Sequence, residues 1–557
     1  MFPFLKKSKG DIYGGVTAGI VALPLALAFG VQSGLGAIYG LYGAIILGFI
    51  ASVFGGTKTQ ISGPTGPMTV VTASVVMTAA TVVDESDVLA VVIAAFLLAG
   101  IFQILMGFSG IGKYIRYIPY PVLSGFMSGI GVIIILLQIF PLVGLQSPAN
   151  TIQVLKELMQ FNLHVDSSTL ILGALTIGII YIVPKYFKSI PSPLIALVVC
   201  TAINYFFPLG AETIGDVPVG LPAFTAGDVL SIPMSALIIV VEFALILAAL
   251  GAIDTLLTSV VADNITQTKH NSNRELVGQG VGNFVSGLFM GIPGAGATMR
   301  TVVNINSGGR TQVSGLIHSV LLAGLLLGAA PLASIIPLSV LAGILITVGI
   351  GIIDYKGLRQ LFYIPKSDAA VMMTVLLMTV FVNLLQAVLV GVILACVLSI
   401  KRISDMAEEQ SQFKSLHEWD KQHAVPADIV LPENMRAEII IKQIKSPLFF
   451  GYAPGFREFF DSLDGQVNYI IFQMEEVAFI DQSGAYALEE VLKTLRDRKI
   501  NYLVSGLDSE KASLLQNLIL TPGLLNPQNM MNNMQQCLIF LSNQCQSIKP
   551  LKQVVNG

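Results

Sequence analysis

Charge is what this 557-residue chain has least of. Only 12% of its residues are Asp, Glu, Lys or Arg, where a soluble domain carries about 25%. The charges present leave long gaps. None falls between Asp11 and Lys58, Asp87 and Lys113, Glu275 and Arg300, Arg310 and Asp354, or Asp368 and Lys401. A helix crossing a bilayer needs roughly 20 predominantly apolar residues, so these gaps exclude a soluble fold for most of the chain up to Lys401. The 54% hydrophobic content and mean hydropathy of +0.76 agree. Cysteine is also scarce. Cys200, Cys396, Cys537 and Cys545 show no CxxC spacing, which excludes a disulfide framework. Cys200 and Cys396 sit in apolar runs and read as core residues. There is no Walker loop, zinc cluster or nucleophile constellation, which argues against an enzyme and against ATP-driven work. The net charge of −3 identifies no partner, and no nucleic acid is expected.

What is present is a series of apolar spans. About fourteen are expected, starting near Tyr13, Ile38, Val88, Tyr120, Leu170, Pro193, Ala236, Leu276, Val313, Leu338, Ala369 and Leu385, with two shorter ones at Ile61–Val71 and Gly294–Val303. The N-terminal "MFPFLKKSKGD" has no cleavable-signal pattern and leads straight into the first span. An even count puts both termini on one side. Lys6, Lys7, Lys9, Lys58, Lys113, Arg116, Lys185, Lys188, Lys269, Arg274, Arg310, Lys356, Arg359, Lys366, Lys401 and Arg402 then collect at one face. The other face receives "VDESD", "GAETIGDVPVG" and "FTAGD", with Lys156 as its cation. The positive-inside rule makes the basic face cytoplasmic.

The two short spans share a phrase. "ISGPTGPMTVV" and "GAGATMRTVV" both place Gly, Pro and Ala ahead of a Met, a Thr and paired valines. A helix starting within the membrane exposes unpaired N–H groups in its first turn, which is tolerated only where backbone lines a cavity or is buried in protein. Each start aims a positive dipole at the midplane and suits an anion. Interruptions at matching places in two halves point to a transporter with inverted repeats. The preceding stretches "GFIASVFGG" and "GNFVSGLFMG" match as well. With seven spans per half, the second copy must be inverted. The alternative use of these glycines is close helix packing.

Ionisable groups deep in apolar runs are functional candidates because they are costly there. Asp254 stands out, with Thr258 four residues on and so on the same helical face. A carboxylate, hydroxyls and free carbonyls of a broken helix are hard oxygen ligands, suited to Na+; alternatively Asp254 carries a proton, or forms a structural salt bridge with Arg300. Arg300, in the first turn of the second short helix, could fork onto an oxyanion. Glu242 lies twelve residues before Asp254, about 18 Å along a helix, and reads as interfacial. His318 reads as a satisfied packing histidine. Thr65 and Thr298 stand where hydroxyls would meet an anion.

These residues carry a family resemblance. "DIYGGVTAGIVALPLALAFGVQSG", "HNSNRELVGQGVGN" and "NINSGGRT" resemble the first span and the approaches to and exit from the second half-helix of the SulP-type (solute carrier 26) anion permeases. The resemblance implies fourteen spans in two inverted repeats of seven, a core and a gate, an elevator-like movement, and a homodimer in the plasma (bacterial inner) membrane. Within the family, "AIDTLLTSVVADNITQTKHNSN" with "GAGATM" is similar to cyanobacterial sodium-dependent bicarbonate transporters. That similarity places Na+ at Asp254, Thr258, Gly296, Ala297 and Thr298, and bicarbonate at Thr65, Gly66, Ala297 and Thr298, with Arg300 beside it. Arg300 is a departure, since the sodium–bicarbonate type carries glycine there. It leaves sulfate, a dicarboxylate or chloride exchange open as substrates, with proton coupling or none.

After Lys401 the composition becomes that of a soluble domain. "EIIIKQI", "PLFFG", "VNYIIFQM" and "NYLVSGL" read as strands, and "GFREFFDSL", "GAYALEEVLKTLRDR" and "SEKASLLQNLI" as amphipathic helices. The alternation predicts a small α/β domain. "FIDQSGAYALEEVL" resembles the signature of the STAS domain, which the family carries on its cytoplasmic side. Ser483 opens a helix and is a candidate phosphorylation site or, more simply, an N-cap. The expected organisation is a transport domain over 1–402, a linker over 403–435 and the STAS domain with a tail over 436–557. A coupled transporter, a passive channel or exchanger, and a membrane-tethered signalling scaffold are the three functional classes compatible with this reading.

Overall fold

The computed structural model describes residues 3–548 apart from 115–117, 149–150, 161–165, 187–190, 208, 216–223, 226–232, 383, 412, 424–428, 430, 454–455, 457–466, 520 and 522. Arg116, Lys188, most of "GFREFFDSL" and parts of the two acidic segments after Gly215 lie outside the described residues, as do the side chains of Lys6, Lys7 and Cys545. The chain forms two compact units, residues 1–395 and 396–557.

The first unit is helical. Helices α1 (Pro3–Gln32) and α2 (Ala37–Phe54) lead to the two-residue strand β1 (Ser62–Gly63) and to α3 (Gly66–Val82). Next come α4 (Glu85–Phe108), α5 (Tyr120–Leu142), the short α6 (Thr151–Met159), α7 (Ser167–Tyr186) and α8 (Ser192–Phe206). The second half repeats the pattern with α9 (Leu237–Thr266), α10 (Ser272–Leu288), β2 (Ala295–Gly296) and the nine-residue α11 (Thr298–Asn306). It continues through α12 (Gln312–Ala333), α13 (Leu338–Ile352), the short α14 (Tyr355–Arg359) and α15 (Lys366–Phe381), and ends in α16 (Leu384–Gln410), whose residues from Cys396 on belong to the second unit. Each expected span coincides with a helix of this series. Among the described residues, α1, α2, α4, α5, α7, α9 and α16 are long and apolar enough to cross a membrane, while α3, α8, α12 and α13 are apolar but shorter.

Local chemistry sets the starts. Pro67 in α3, Pro121 in α5 and Pro193 in α8 occupy first-turn positions, where a missing N–H costs nothing. Asn271 caps α10 by accepting from the Arg274 N–H at 3.0 Å. Cys200 is buried in α8, as expected, but Cys396 is exposed on α16.

The second unit is a five-stranded sheet in the order β3 (Phe413–Ser415), β4 (Ile439–Gln443), β5 (Tyr469–Gln473), β6 (Asn501–Ser505) and β7 (Met530–Met531). β3 is antiparallel to β4 and the other pairs are parallel. Between the strands lie α17 (Leu416–His423), α18 (Glu433–Ala437), α19 (Gln482–Asp497) and α20 (Ser509–Leu518), and α21 (Met534–Ile548) follows β7. Both faces of the sheet are covered. Ile470 and Phe472 pack with Leu488, Leu492 and Leu495, while Ile471, between them in sequence, packs with Ile441, Leu503 and Leu538. Double coverage is what a mostly parallel sheet requires.

Three details of this unit depart from expectation. The stretch 403–435, expected as a linker, supplies edge strand β3 and the buried Trp419, which stacks on His423 and packs among Ile439, Ile441 and Leu538. "PLFFG" contributes one bridge, Leu448 to Ile480, and is otherwise a turn, because Asp481 accepts from the Phe450 N–H and draws the backbone away from a ladder. The cap of α19 is Asp481, which accepts from the Gly484 N–H at 2.7 Å, so Ser483 is exposed in the first turn and is not the cap.

Candidate functional site

The two repeated phrases meet. β1 pairs antiparallel with β2, Ser62 opposite Gly296 and Gly63 opposite Ala295. The Ala297 N–H extends the pairing to the Ile61 carbonyl at 2.8 Å, and the Ile61 N–H returns to Thr301 Oγ1 at 3.0 Å. Glycine here serves this backbone contact. A Cβ on Gly294 would lie 2.2 Å from the Gly63 carbonyl oxygen, and Gly63 holds φ at +154° with the Arg300 guanidinium against it. Packing of helix against helix, the alternative use of these glycines, is not what brings them together.

Each strand opens directly into a helix, so the starts of α3 and α11 lie together. Their first intrahelical bonds match, Thr69 N–H to the Thr65 carbonyl and Thr301 N–H to the Ala297 carbonyl, both at 2.9 Å. The amides of Gly66, Met68, Thr298, Met299 and Arg300 precede those bonds and have no intrahelical acceptor. Two helix starts aimed at one place add their positive ends, as anion binding needs.

α9 forms the wall beside them. Thr258 Oγ1 donates to the Gly296 carbonyl at 2.9 Å and lies 2.6 Å from Thr298 Oγ1, while Thr255 Oγ1 accepts from the Gly296 N–H at 3.0 Å. Asp254, one turn before Thr258, is 7% exposed, and its Oδ2 has no partner among the described residues. Thr65 and Arg300 are the groups that face this carboxyl. The Thr65 hydroxyl is buried, makes no cap bond and has no hydrogen-bond partner.

Arg300 is 2% exposed and makes no direct ion pair with Asp254. Its Nη2 donates to the Pro64 carbonyl at 2.6 Å, and its Nη1 has no partner. The guanidinium thus ties the start of α11 to the turn before α3. His318 does not fit the expectation of a satisfied packing histidine. It is fully buried on α12 with neither ring nitrogen partnered, and Arg300 is the charge it faces. Glu242 is exposed on α9, away from this cluster. Ala297 has its N–H and its carbonyl both engaged, by Ile61 and Thr301.

Sequence reasoning missed the scaffold that carries the site. Glu275, 1% exposed in the first turn of α10, accepts from the Gly56 and Thr57 N–H groups, both at 2.7 Å, from Gln60 at 2.8 Å and from Gln279 at 3.0 Å. Gln279 also donates to Ser62, and Ser259 of α9 to Gln60. Asn283 brackets Gly294 through both its N–H and its carbonyl. The only available signal was a run of polar residues at helical spacing, Glu275, Gln279 and Asn283, inside an otherwise apolar span.

The donor set is all hard oxygen: the Asp254 carboxylate, two threonine hydroxyls and the Gly296 carbonyl. It fits an alkali cation in chemistry, and no cluster of three or more His, Cys, Asp or Glu that could hold a metal occurs among the described residues. Paired half-helices with a buried carboxylate beside them define a membrane carrier for a small anion. The sulfate permease family model matches residues 9–375 and the STAS domain model residues 431–535. The chain belongs to the sulfate permease family, whose members are anion transporters and not enzymes.

The bicarbonate transporter BicA of Picosynechococcus sp. is 42% identical over 521 residues, 92% of this chain and 90% of its own length. A putative sulfate transporter of Bacillus subtilis, YvdB, is 30% identical over 524 residues, 92% of this chain and 94% of its own. Among solved structures, the transmembrane domain of a cyanobacterium bicarbonate transporter, BicA, superposes with a TM-score of 0.61 at 45% identity. It covers 70% of this chain and 97% of that one.

Proposed function

We propose that this chain is a secondary active transporter that takes up bicarbonate together with Na+, through fourteen spans and an elevator-type movement of the half-helix pair against the surrounding helices. The observation that carries the reading is the meeting of two helix starts beside a buried carboxylate with a free oxygen. The starts attract an anion and the carboxylate a cation, so each ion lowers the cost of binding the other. Thr258, Thr298, the Gly296 carbonyl and Asp254 would hold Na+. Thr65 and the first-turn amides of α3 and α11, from Gly66 and Thr298 onward, would hold the anion. The Ala297 amide, engaged by Ile61, shapes the site and leaves anion contact to its neighbours. Likeness to bicarbonate transporters over most of the chain supports the choice of anion.

Arg300 favours a second reading, sulfate or another dianion, because a fixed guanidinium reduces the need for a cation; a sulfate-named relative also matches nearly the whole chain. Purified protein in liposomes decides between them. The first reading expects labelled bicarbonate uptake that requires an inward Na+ gradient and is unaffected by sulfate or fumarate. Uptake indifferent to Na+, or strongly inhibited by sulfate, would overturn it.

A further inference from the structure

Arg300 Nη1 and both ring nitrogens of His318 are buried and bonded to nothing among the described residues. They come from different helices, α11 and α12, and the guanidinium is the charge that the imidazole faces. Both groups stand on one face of α2. A Cβ on Gly63 would lie 2.8 Å from Arg300 Nη1 and 3.3 Å from the Ala44 Cα, while a Cβ on Gly48 would lie 3.4 Å from His318 Nδ1. Ala44 and Gly48 are four residues apart on α2, which makes them neighbours on that face, about 5–6 Å from one another. That gap is short against the length of an arginine side chain. Glycine at position 48 makes the approach possible, since its Cβ would also sit 3.1 Å from the Ser62 carbonyl oxygen of β1.

Chemistry restricts what this pair can do. A guanidinium only donates, and a neutral imidazole has one lone pair with which to accept. One donor arm, Arg300 Nη1, is therefore set among two unfilled acceptors, the His318 ring and Asp254 Oδ2. The other arm is occupied, with Nη2 on the Pro64 carbonyl at 2.6 Å. One arm cannot serve both acceptors. Turned to Asp254, it would form a charge-assisted bond with the carboxylate that a cation would use. Turned to His318, it leaves that carboxylate open and keeps its positive charge beside the starts of α3 and α11.

We propose that His318 is a positioning residue for Arg300: it offers the free guanidinium arm an acceptor away from Asp254, so that Na+ and the arginine do not compete for one carboxylate. The inference rests on the sodium-coupled reading above, and it accounts for how a chain that carries Arg300 keeps a cation site. Without Na+ the arm turns to Asp254; with Na+ bound it turns to His318. The imidazole stabilises the second arrangement and so shifts the balance toward the Na+-competent state.

The test is an Na+ titration of the full-length parent, H318L and H318N, with NaCl replacing choline chloride. Two readouts are followed, labelled bicarbonate uptake into proteoliposomes and melting temperature in detergent, which rises when Na+ binds the folded chain. Leucine removes the acceptor, and asparagine returns one near the Nδ1 position. Half-saturating Na+ should rise about tenfold in H318L, the worth of one hydrogen bond to a charged group, with the maximal uptake rate per folded protein retained. H318N should return toward the parent. In an Arg300→Gln background, H318L should leave the Na+ midpoint of melting unchanged, because no guanidinium competes. A merely structural role would lower folded yield or maximal rate at every Na+ concentration and leave the midpoint alone. An unshifted midpoint in H318L, or the same shift with Arg300 absent, would overturn the proposal. Where H318L gives no folded protein, His318→Phe, a ring without an acceptor nitrogen, takes its place in the same comparison. A parent indifferent to Na+ in both readouts overturns the sodium reading and this inference with it, whereas a Na+-dependent parent with unshifted variants overturns only the role of His318.

Discussion

Glu275 and Asp254 are both buried carboxylates, on consecutive helices of the same unit, and they differ in what surrounds them. Glu275 accepts four N–H groups, two from the backbone before β1 and two from glutamine side chains. Asp254 faces one hydroxyl and one guanidinium with which it makes no ion pair, and keeps a free oxygen. A carboxylate with its lone pairs filled ties a structure together. One left short of partners retains capacity for an ion and is costly without one. Burial does not separate the two, at 1% and 7% exposed; hydrogen-bond partners do. The same distinction runs through the neighbouring groups, where Gln60 and Asn283 are bonded at both ends on the scaffold side, while Thr65, His318 and one arm of Arg300 are not.

The contrast can be broken by mutation. Glu275→Ala leaves four donors without an acceptor, each costing about 1–3 kcal/mol if left unsatisfied, and a collapse in folded yield and melting temperature in detergent is expected. Glu275→Gln, which keeps one acceptor oxygen, should fall between. Asp254→Asn should leave the melting temperature near that of the parent, because few protein bonds are lost. Its Na+ dependence should disappear, with uptake under a full inward Na+ gradient falling about tenfold or more below the parent's, equivalent to about 1.4 kcal/mol in coupling. A melting temperature lowered as far as in Glu275→Ala would erase the distinction between the two carboxylates.

A smaller effect is expected in the second unit. Lys442, 4% exposed on β4, lies 3.7 Å from the Phe413 ring centroid and donates to the Ser411 carbonyl at 3.0 Å. Burial lowers its ammonium from the usual 10.5 to about 7, against the opposing pull of Glu408. Between those values the unfolded chain holds the proton and the folded chain does not. Stability from this residue therefore rises with pH from about 7 to 10.5, by at most about 1.4 kcal/mol per unit, and is flat below that window. Lys442→Met should stabilise this unit at pH 6 and flatten its melting temperature above pH 7. An unchanged slope in the full-length protein would contradict it.

The charge gaps, the duplicated phrase and the α/β alternation made the two units and their element types legible before any coordinates. Asp254, Thr258, Thr65, Thr298 and Arg300 were legible as candidates for a physical reason: polar groups in apolar spans are expensive, and such exceptions stand out. Trp419 and strand β3 were not, because a three-residue edge strand in a charged stretch carries no periodicity of its own. Glu275 was not either. In sequence it is an ordinary acidic residue in the first turn of a helix, and what defines it is that Gly56, Thr57 and Gln60 arrive from more than 200 positions away.

By itself, then, the sequence determined which stretches form apolar helices, that two of them start late behind Gly- and Pro-rich strands, and which polar residues they carry. Those features follow from local composition and from the cost of burying charge. Only the tertiary structure decided that Ser62 pairs with Gly296, that Arg300 binds the Pro64 carbonyl and not Asp254, and that His318 is left unpartnered. Each of these depends on the register in which two distant segments meet, and register is set by packing between helices that no local pattern encodes.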